Sequence, residues 1–406
     1  MAITQLSAPT EPTLAYQPIV FRFSSSSTDI VNLIVEVSVS YNSGVSSTRV
    51  AAISVSPDLG TANEFTFDAQ EVLKKNIDFK LKTIGSSAII NDVDNLQFRL
   101  KIYEVVLTAG VLVTSYDPDD NNNSAWNYQT NTLTTFNWRE SQYDLANFDK
   151  NNYKLDGLSK KFLSEAPSSK DIELNANEFL GMAWTVSSGG VKNYIIKILT
   201  YDSSNALLNT DNLIVSEWNY TVVSSFIDPY LDVPVGTANL IAMGVSLTNV
   251  AKYTIQLVND DGVRSEIKTY NIVESCGSDT RIHFINKFGK QDSITLKGNE
   301  TEIIEYKSTN YTKALSTTYS SSDYGNAVIQ NETSKSFTAY SKSIGRDVIN
   351  FASSMLITKI AWIEVGGKYF SILIEDGSKL IRNNENMPIQ FVLNYSLANT
   401  EKGHRG

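Results

Sequence analysis

The sequence predicts a mainly β protein with two antiparallel β-sandwich domains of immunoglobulin-like or jelly-roll type, followed by a C-terminal α+β domain with one amphipathic helix. Three observations support this fold class. Apolar and polar side chains alternate along several segments, Ser, Thr, Asn and Tyr are abundant while only 19% of residues are charged, and turn-forming clusters separate the apolar runs. The chain has 406 residues, more than one hydrophobic core supports, so two or three domains are expected.

Residues 1–116 are predicted to form the first β-sandwich. In VNLIVEVSVSY one face is expected to be buried, and its side chains are Val31, Leu33, Val35, Val37, Val39 and Tyr41. The opposite face is expected to be wet, with Asn32, Glu36, Ser38 and Ser40. FRLKIYEV repeats the alternation, with Phe98, Leu100 and Ile102 against Arg99 and Lys101. Both runs are therefore predicted to be half-buried strands.

A short helix is predicted between these two strands. FTFDAQEVLKKNIDF breaks the period-two pattern, and Asp68 followed by Glu71 has the spacing of a capping box.

Residues 117–170 are predicted to be a connecting arm, because SYDPDDNNNSAWNY is rich in Asp and Asn and few strong strands follow it. Asp117, Asp119 and Asn121 match the early ligand positions of a calcium loop. However, Asn122 stands where that loop needs glycine and Tyr128 where it needs glutamate. A plain solvated loop is the preferred interpretation, and a calcium loop is the alternative.

The second β-sandwich is predicted over residues 171–275. Its strands are assigned to FLGMAWTV, NYIIKILTYD, TANLIAMGVSL and KYTIQLVND. Clusters such as Ser187-Ser188-Gly189-Gly190 and Asp260-Asp261-Gly262 separate them, which is typical of antiparallel sandwiches.

Residues 276–406 are predicted to form the α+β domain. It opens with a hairpin that carries Ile282 and Phe284, then Ile294 and Leu296. One amphipathic helix is predicted from apolar residues at helical spacing, namely Ile344, Val348, Phe351, Ala352 and Met355. Gly366-Gly367 between two apolar runs predicts a tight hairpin. A last strand is predicted to bury Ile389, Phe391, Leu393, Tyr395 and Leu397.

The charge balance limits the classes of partner. The net charge is −10 and the sequence contains no block of Lys and Arg, so neither sequence-specific nucleic acid binding nor binding to an anionic membrane is expected. No apolar run approaches the roughly 20 residues that cross a bilayer. MAITQLSAPTEP lacks the features of a secretory signal peptide, so synthesis and folding in a cytoplasm are expected.

No catalytic, cofactor-binding or metal-binding residue is predicted. The single cysteine, Cys276, lies seven residues before His283, but two isolated residues do not form a reactive pair, and a buried inert thiol is the preferred interpretation. The other histidine, His404, lies in the C-terminal tail. Sugar stacking is one interpretation of Trp126, Trp138, Trp184 and Trp218, but core packing is the commoner role, and Trp184 is assigned to a core.

One stretch resembles a known signature. TRIHFINKFGKQDSITLKG is similar to a hairpin that recurs in virion structural proteins of tailed phages infecting Bacteroidota: an apolar strand, Asn, a basic residue, an aromatic residue, Gly, Asp and a second strand. Lys290 and Gln291 stand where glycine and an aromatic residue are more usual. KFLSEAPSSKDIELNANEFLGM resembles the linker of the same family, and FTFDAQEVLKKNIDF resembles its first-domain turn.

The resemblance implies a non-enzymatic tail, collar or fibre-attachment subunit that forms homo-oligomers, binds other virion proteins and resides in the phage tail or neck. It also implies that residues 276–406 are similar to tail-tube or tail-adaptor domains. Two alternatives stay open. One is a carbohydrate-binding, receptor-binding module of a tail that contacts host glycan, and the other is a polysaccharide-degrading enzyme.

Overall fold

The computed structural model describes most of the chain, and the fold can be followed through all three predicted regions. The described residues are 3–9, 13–40, 47–61, 63–77, 79, 81–85, 90–91, 95–119, 126–136, 152–153, 159–183, 194–215, 230–260, 262–275, 279–312, 314, 317–320, 326–342, 348–381 and 390–398. The protein is mainly β, with several antiparallel sheets and, within these residues, three helices.

The first region forms two facing sheets. Its elements are β1 (Ile3–Ser7), β2 (Thr13–Leu14), β3 (Val20–Ser25), β4 (Ile30–Ser40), β5 (Thr48–Val55), β6 (Glu64–Asp68), α1 (Gln70–Asn76), β7 (Ile90–Asn91), β8 (Asn95–Thr108), β9 (Val111–Thr114), β10 (Tyr128–Gln129) and β11 (Leu133–Phe136). One sheet has the order β1-β3-β6 and the other β2-β11-β8-β4-β5, with β9 and β10 also on β8. Side chains from both sheets share one apolar core, which includes Phe21, Phe65 and Leu100.

The strand predicted over VNLIVEVSVSY is confirmed as β4, but two details of its faces are wrong. Val31 is exposed, because the register shifts between Ile30 and Asn32 and Ile30 takes the buried place. Glu36 and Ser38 are buried rather than wet. The hydroxyl of Tyr103 donates to Glu36 across 3.3 Å, and Lys101 lies 3.5 Å from the same carboxylate, so the second face is a covered polar layer.

The predicted short helix is confirmed as α1, although its capping differs. The Asp68 carboxylate accepts the backbone N–H groups of Gln70 and Ile19, both at 2.9 Å. Glu71 does not complete the capping box and instead pairs with Lys74 at 3.1 Å. The N-cap residue is Ala69, which has no side-chain cap bond, and Asp68 one residue earlier fixes the first helical N–H to the segment that leads into β3.

The second region also has two facing sheets. Its elements are β12 (Ser169–Glu173), β13 (Phe179–Ala183), β14 (Tyr194–Tyr201), β15 (Leu207–Val215), β16 (Tyr230–Pro234), α2 (Thr237–Ala242), β17 (Lys252–Asn259), β18 (Gly262–Val263) and β19 (Lys268–Val273). The larger sheet has the order β12-β19-β17-β14-β15, with β18 on β17, and the smaller one β13-β16-β7. The β12–β19 pair is parallel, unlike the wholly antiparallel sandwich that was predicted.

The strand predicted over TANLIAMGVSL is wrong, because this run forms α2. Thr237 and Leu240, three residues apart, are buried, while the neighbours Ile241 and Ala242 are both exposed, which is a helical and not a strand pattern. Ala, Leu and Ile favour either state in so short a run, and the surroundings decide. The hydroxyl of Thr237 donates to the carbonyl of Glu173 at 2.7 Å and fixes the helix start to the end of β12.

The third region is one eight-stranded antiparallel sheet with a helix. Its elements are β20 (Thr280–Ile285), β21 (Gln291–Leu296), β22 (Glu300–Thr312), β23 (Asn326–Tyr340), α3 (Ile349–Leu356), β24 (Ala361–Val365), β25 (Lys368–Ile374), β26 (Lys379–Ile381) and β27 (Gln390–Leu397). The order is β21-β20-β24-β25-β27-β23-β22, with β26 on β27. Phe351, Ala352 and Met355 of α3 pack on the core face of this sheet.

The predicted hairpins of the third region are confirmed. Gly366 and Gly367 have φ angles of 57° and 74° and join β24 to β25, as a two-residue turn with positive φ requires. The β20–β21 hairpin is present with Ile282 opposite Ile294. The predicted helix is confirmed over its described part, while Ile344 lies outside the described residues.

Strand pairing crosses the predicted boundaries. β7, within 1–116, pairs with β16, within 171–275. β10 and β11, within the predicted connecting arm, pair with β8. The division into 1–116, 117–170, 171–275 and 276–406 stays a prediction.

Candidate functional site: a buried junction and a projecting arm

The two edges of the eight-stranded sheet differ and provide two candidate sites. The β21 edge lies against the second region and carries a buried polar cluster, here called the junction. Its members are Lys82, Ser164, Lys170, Asn177, Glu178, Asp232, Arg281, His283, Asn286, Lys290, Gln291, Asp292, Ser293 and Glu364. The β22 edge projects into solvent as a two-stranded arm.

The turn of the β20–β21 hairpin is held by side chains of the phage-like signature. The amide oxygen of Asn286 accepts the backbone N–H groups of Phe288 and Lys290 at 2.9 and 3.0 Å. Its amide nitrogen donates to the carbonyl of Leu163 at 2.9 Å and to Asp292 at 2.7 Å. Asp292 also accepts the hydroxyl of Ser164 at 2.9 Å. The hairpin and linker segments, which were recognised separately in the sequence, therefore contact each other.

Lys290 and Gln291, the two departures from the signature, are matched by neighbouring residues. The Lys290 ammonium lies 2.9 Å from the Asp232 carboxylate, and its alkyl chain fills the space at Gly181, where a Cβ would lie 2.3 Å from Lys290 Cγ. Lys82 contacts the same carboxylate at 2.8 Å. The Gln291 amide oxygen accepts the Lys82 backbone N–H at 2.8 Å. Segments from all three regions therefore meet at this turn.

Glu178 is the central acid of the junction. One carboxylate oxygen accepts Lys170, and the other accepts Arg281 at 2.9 Å and the Ser293 hydroxyl at 2.7 Å. Desolvation acts to raise the pKa of Glu178, but Lys170 and Arg281 outweigh it and lower the pKa below its ordinary value. Glu178 is therefore ionised and is shared between two buried cationic side chains.

Burial shifts the pKa values of two other groups in the junction, Asp292 and His283. Desolvation raises the pKa of Asp292 to about 7, although the Asn286 hydrogen bond opposes the shift. Desolvation also lowers the pKa of His283. The His283 ring is therefore neutral near pH 7, and its Nε2 contact to Glu364 at 2.8 Å is a hydrogen bond rather than an ion pair. The charged side chains of the junction pair with one another, and these pairs are expected to make the junction rigid.

A metal site requires several ligating side chains that lie close together. Within it, no group of three or more His, Cys, Asp or Glu side chains could hold a metal ion. A cavity of about 270 Å³ lies beside the junction, lined by Lys170, Lys297, Phe351 and Phe391 among others. Both lysines are already bound, to Glu178 and Asp171 respectively.

The arm is the outer part of the β22–β23 hairpin, here defined as Ile304–Thr312 with Asn326–Lys335. β23 pairs with β27 only from Ser336 to Tyr340, so the arm extends beyond the rest of the sheet. At the usual rise per residue it reaches about 30 Å. β22 pairs with β23 alone among the described strands, so the backbone groups along its outer edge have no strand partner there.

The arm exposes apolar side chains that continue the face of the core. At its base Phe337 stacks on Tyr395 with ring centroids 5.1 Å apart. Ile304 and Tyr306 follow outward on the same face and are 58% and 64% exposed. On the opposite face Glu305 and Lys307 flank Tyr306, and both are exposed. This mixture of apolar and charged groups on an open edge is typical of a protein-binding surface.

A second exposed apolar patch lies at the β8–β9 hairpin. Leu107, Val111, Leu112 and Val113 are between 47% and 64% exposed around the Ala109-Gly110 turn. The two tips lie in different regions of the molecule, so the chain offers more than one surface for contact.

Several residues weighed in the sequence lie outside the described residues. They are Cys276, His404, Asn121, Asn122, Trp138, Trp184 and Trp218. In the weighed calcium loop, Asp117 accepts the backbone N–H of Asp119 at 2.9 Å, and Tyr128 lies in β10. Trp126 is 36% exposed, and the Lys101 ammonium lies 5.0 Å from its ring.

Sequence reasoning missed the junction almost entirely. The sequence features noted above include His283, Asn286, Lys290, Gln291 and Asp292, but not Asp232, which pairs with Lys290 from the second region. They also do not point to Glu178, which binds Lys170, Arg281 and Ser293. One signal was present in the sequence. Lys290 and Gln291 stand where the signature has glycine and an aromatic residue, and a lysine buried in such a turn needs an acidic partner from elsewhere in the chain.

Comparisons with known proteins add little. No family model matches the sequence, and no curated protein matches it. Among solved structures, CBD12 from CALX1.2 is 9% identical, with 63% of this chain and 79% of that chain covered and a TM-score of 0.16. The calcium binding domain CBD12 of CALX1.1 is 9% identical, with 67% and 100% covered and a TM-score of 0.17. A marsupial T cell receptor is 12% identical, with 83% and 96% covered and a TM-score of 0.18. These TM-scores are too low to carry an argument.

Within the described residues, no helix is both long enough and apolar enough to span a membrane.

Proposed function

We propose that this chain is a non-enzymatic structural subunit of a phage virion, namely a tail, collar or fibre-attachment component that acts through protein–protein assembly. The arm is the observation that carries the proposal. A hairpin that projects beyond its sheet, with an edge that no described strand pairs and with exposed Ile and Tyr side chains, suits contact with another chain.

The junction supports the same proposal in a different way. Lys82, from the first region, pairs with Asp232 and accepts a hydrogen bond from Asn177 in the second region. Arg281, from the third region, pairs with Glu178 of the second region. A subunit that transmits force or sets a repeat distance in an assembly needs such a rigid connection between its regions. In this proposal the first two regions are sandwiches of immunoglobulin-like or jelly-roll type, and the last resembles a tail-tube or adaptor domain.

The partners in this proposal are copies of the chain and other virion structural proteins, and the site of action is the tail or neck after synthesis in the host cytoplasm. The resemblance of TRIHFINKFGKQDSITLKG to the phage signature motivates the choice of virion. The Asn286, Asp292 and Ser164 contacts give that signature a structural role, because they join the hairpin to the linker.

Virion composition tests the proposal. Mass spectrometry of purified particles of the encoding phage should find the chain in the stoichiometric amounts of a structural component, and antibodies should label the tail or neck in electron micrographs. A chain abundant in the lysate but absent from washed particles would contradict the proposal.

A trimmed variant tests the role of the arm. Replacing residues 306–333 by Asn-Gly joins Glu305 to Ser334, which are paired neighbours, so a tight turn can close the shortened hairpin. We expect the variant to fold with an unchanged melting temperature and to be lost from particles. Leu59→Ser is the matched control, because Leu59 is a fully exposed aliphatic residue away from the arm. Normal incorporation of the trimmed chain would exclude the arm from assembly.

A further inference from the structure

We propose that the open edge of β22 binds the same edge of a second copy of this chain, so that the two strands pair antiparallel about Tyr306. The inference rests on the proposed assembly function and deepens it by naming one partner and one register. Two arms would then form a continuous four-stranded sheet with a two-fold axis through its centre.

The β22 edge lacks several of the usual protections against such pairing. The strand has 13 residues and contains no Pro or Gly, and its charged residues are three glutamates and one lysine, Lys307. The irregularity of the hairpin does not interrupt it, because Thr309 and Asn310 pair with Gln330 and Val328, which places the extra residue on β23. β22 is therefore a regular strand along its whole length.

Geometry restricts the register. Along an edge strand, alternate residues direct their backbone N–H and C=O groups outward, so an antiparallel copy must pair residues of the same parity. A two-fold axis then passes through a single residue. An axis at Tyr306 pairs Glu300 with Thr312 and uses all 13 residues of the strand. Any other axis leaves part of β22 unpaired.

Charge selects the same register. With the axis at Tyr306, Glu305 of each copy faces Lys307 of the other, which gives two opposite-charge pairs. Moving the axis to Glu305 places two glutamates face to face, and moving it to Lys307 places two lysines face to face. Glu302 faces Asn310 in the proposed register, so no like charges meet.

The positions of the exposed apolar side chains also support this register. Tyr306 of one copy lies beside Tyr306 of the other, and both copies of Ile304 lie diagonally next to this pair on the same face. These side chains are 64% and 58% exposed in the single chain. Pairing therefore covers the apolar surface as well as the backbone groups of the edge.

A charge swap provides the first test. Glu305→Lys and Lys307→Glu each replace two opposite-charge pairs by two like-charge pairs, and we expect each to weaken self-association at least about tenfold in analytical ultracentrifugation. The double variant Glu305→Lys, Lys307→Glu restores both pairs and should return association to the wild-type level. Thr301→Lys is the matched control, since it adds charge on the same face but faces Tyr311.

Cross-linking provides the second test. In a Cys276→Ser background, Tyr306→Cys should form a disulfide-linked dimer under mild oxidation, because the axis brings residue 306 of the two copies face to face. Thr301→Cys should not, because its own copy lies at the far end of the paired strand. Equal cross-linking at both positions would overturn the proposed register.

The outcomes separate this inference from the proposed function. A chain that is monomeric at about 100 µM and shows no Tyr306→Cys cross-link, either purified or in particles, overturns the dimer while its presence in particles still supports the structural role. Dimers whose stability is unchanged by Glu305→Lys or Lys307→Glu also overturn the proposed β22 pairing, because another surface would then hold the two copies together. Rescue by the double variant together with selective cross-linking at residue 306 supports it.

Discussion

The two edges of the eight-stranded sheet have the same backbone chemistry but opposite surroundings. β21 is buried along almost its entire length, and β22 is exposed along almost all of its length. The β21 edge is closed by side chains, since the ammonium of Lys170 donates to the Ser293 carbonyl and the Gln291 side chain accepts the Lys82 backbone N–H. The β22 edge has no such cover in the described structure.

The difference shows two ways of completing a sheet edge. A buried edge needs polar side chains that bind its backbone, and each of these must in turn have a partner. An exposed edge can rely on water until a partner strand arrives. The junction therefore concentrates interactions within the chain, whereas the arm leaves its interactions for another chain.

Removing the central acid of the buried edge should have the largest effect. Glu178→Gln leaves Lys170 without its paired carboxylate and leaves Arg281 with only Glu364 at 3.5 Å, so we expect a loss of about 3–5 kcal/mol in the free energy of unfolding. Glu302→Gln is the control, because it breaks the exposed Glu302–Lys335 pair and should cost less than about 1 kcal/mol. Equal costs in urea denaturation would show that the two edges do not differ.

The pH dependence of stability should sharpen the comparison. The pKa of Asp292 is raised to about 7 in the folded chain. The protonated Asp292 side chain therefore stabilises the folded state fully below its ordinary pKa near 4, and this stabilisation is lost as pH rises through 7. Asp292→Asn should remove this component, a difference on the order of a few kcal/mol between pH 4 and pH 8. Urea denaturation of both proteins across this range measures it.

A second variant checks the assignment to Asp292. The Ser164 hydroxyl hydrogen bond lowers the pKa of Asp292, so Ser164→Ala should move the loss of stability to higher pH. If wild type and Asp292→Asn have parallel pH profiles, the carboxyl does not titrate in this range.

The turn between β24 and β25 should show an intermediate effect. Gly366 has a φ of 57° and open space around it, so Gly366→Val introduces backbone strain without a clash and should cost about 1–2 kcal/mol. Gly366→Asn is the control, because asparagine tolerates this conformation and should cost less. Thermal denaturation compares the two, and equal melting temperatures would contradict the strain argument.

Substitution on the arm should have the smallest effect on folding. Tyr306 is 64% exposed, so Tyr306→Ser should change the free energy of unfolding by less than about 0.5 kcal/mol. Phe337→Ser, at the base of the arm, removes the stack on Tyr395 and should cost more. A large loss of stability in Tyr306→Ser would show that the arm folds back onto its own chain.

The elements with strong local signals could be predicted from the sequence. Alternation predicted β4 and β8, the Gly366-Gly367 pair predicted its hairpin, and helical spacing around Phe351 and Met355 predicted α3. The same reasoning failed for α2, because six residues of mixed propensity fit either state. It also failed for Glu36 and Ser38, whose burial depends on Lys101, Tyr103 and the segment that follows β9.

The candidate sites were harder to predict than the fold. The two long strands of the arm were not among the predicted elements, and the exposure of the arm depends on where β23 stops pairing with β27. The junction depends on pairs such as Lys82 with Asp232 and Glu178 with Arg281, which are more than a hundred residues apart.

The sequence alone determined strands such as β4 and β8, the Gly366-Gly367 turn and the acidic net charge, because these depend on side-chain period, glycine placement and composition. Only the tertiary structure decided that one sheet edge is closed by buried ions while the other stays open. Local pattern specifies how a strand presents its two faces, but whether its edge is covered depends on which distant residues the fold brings there.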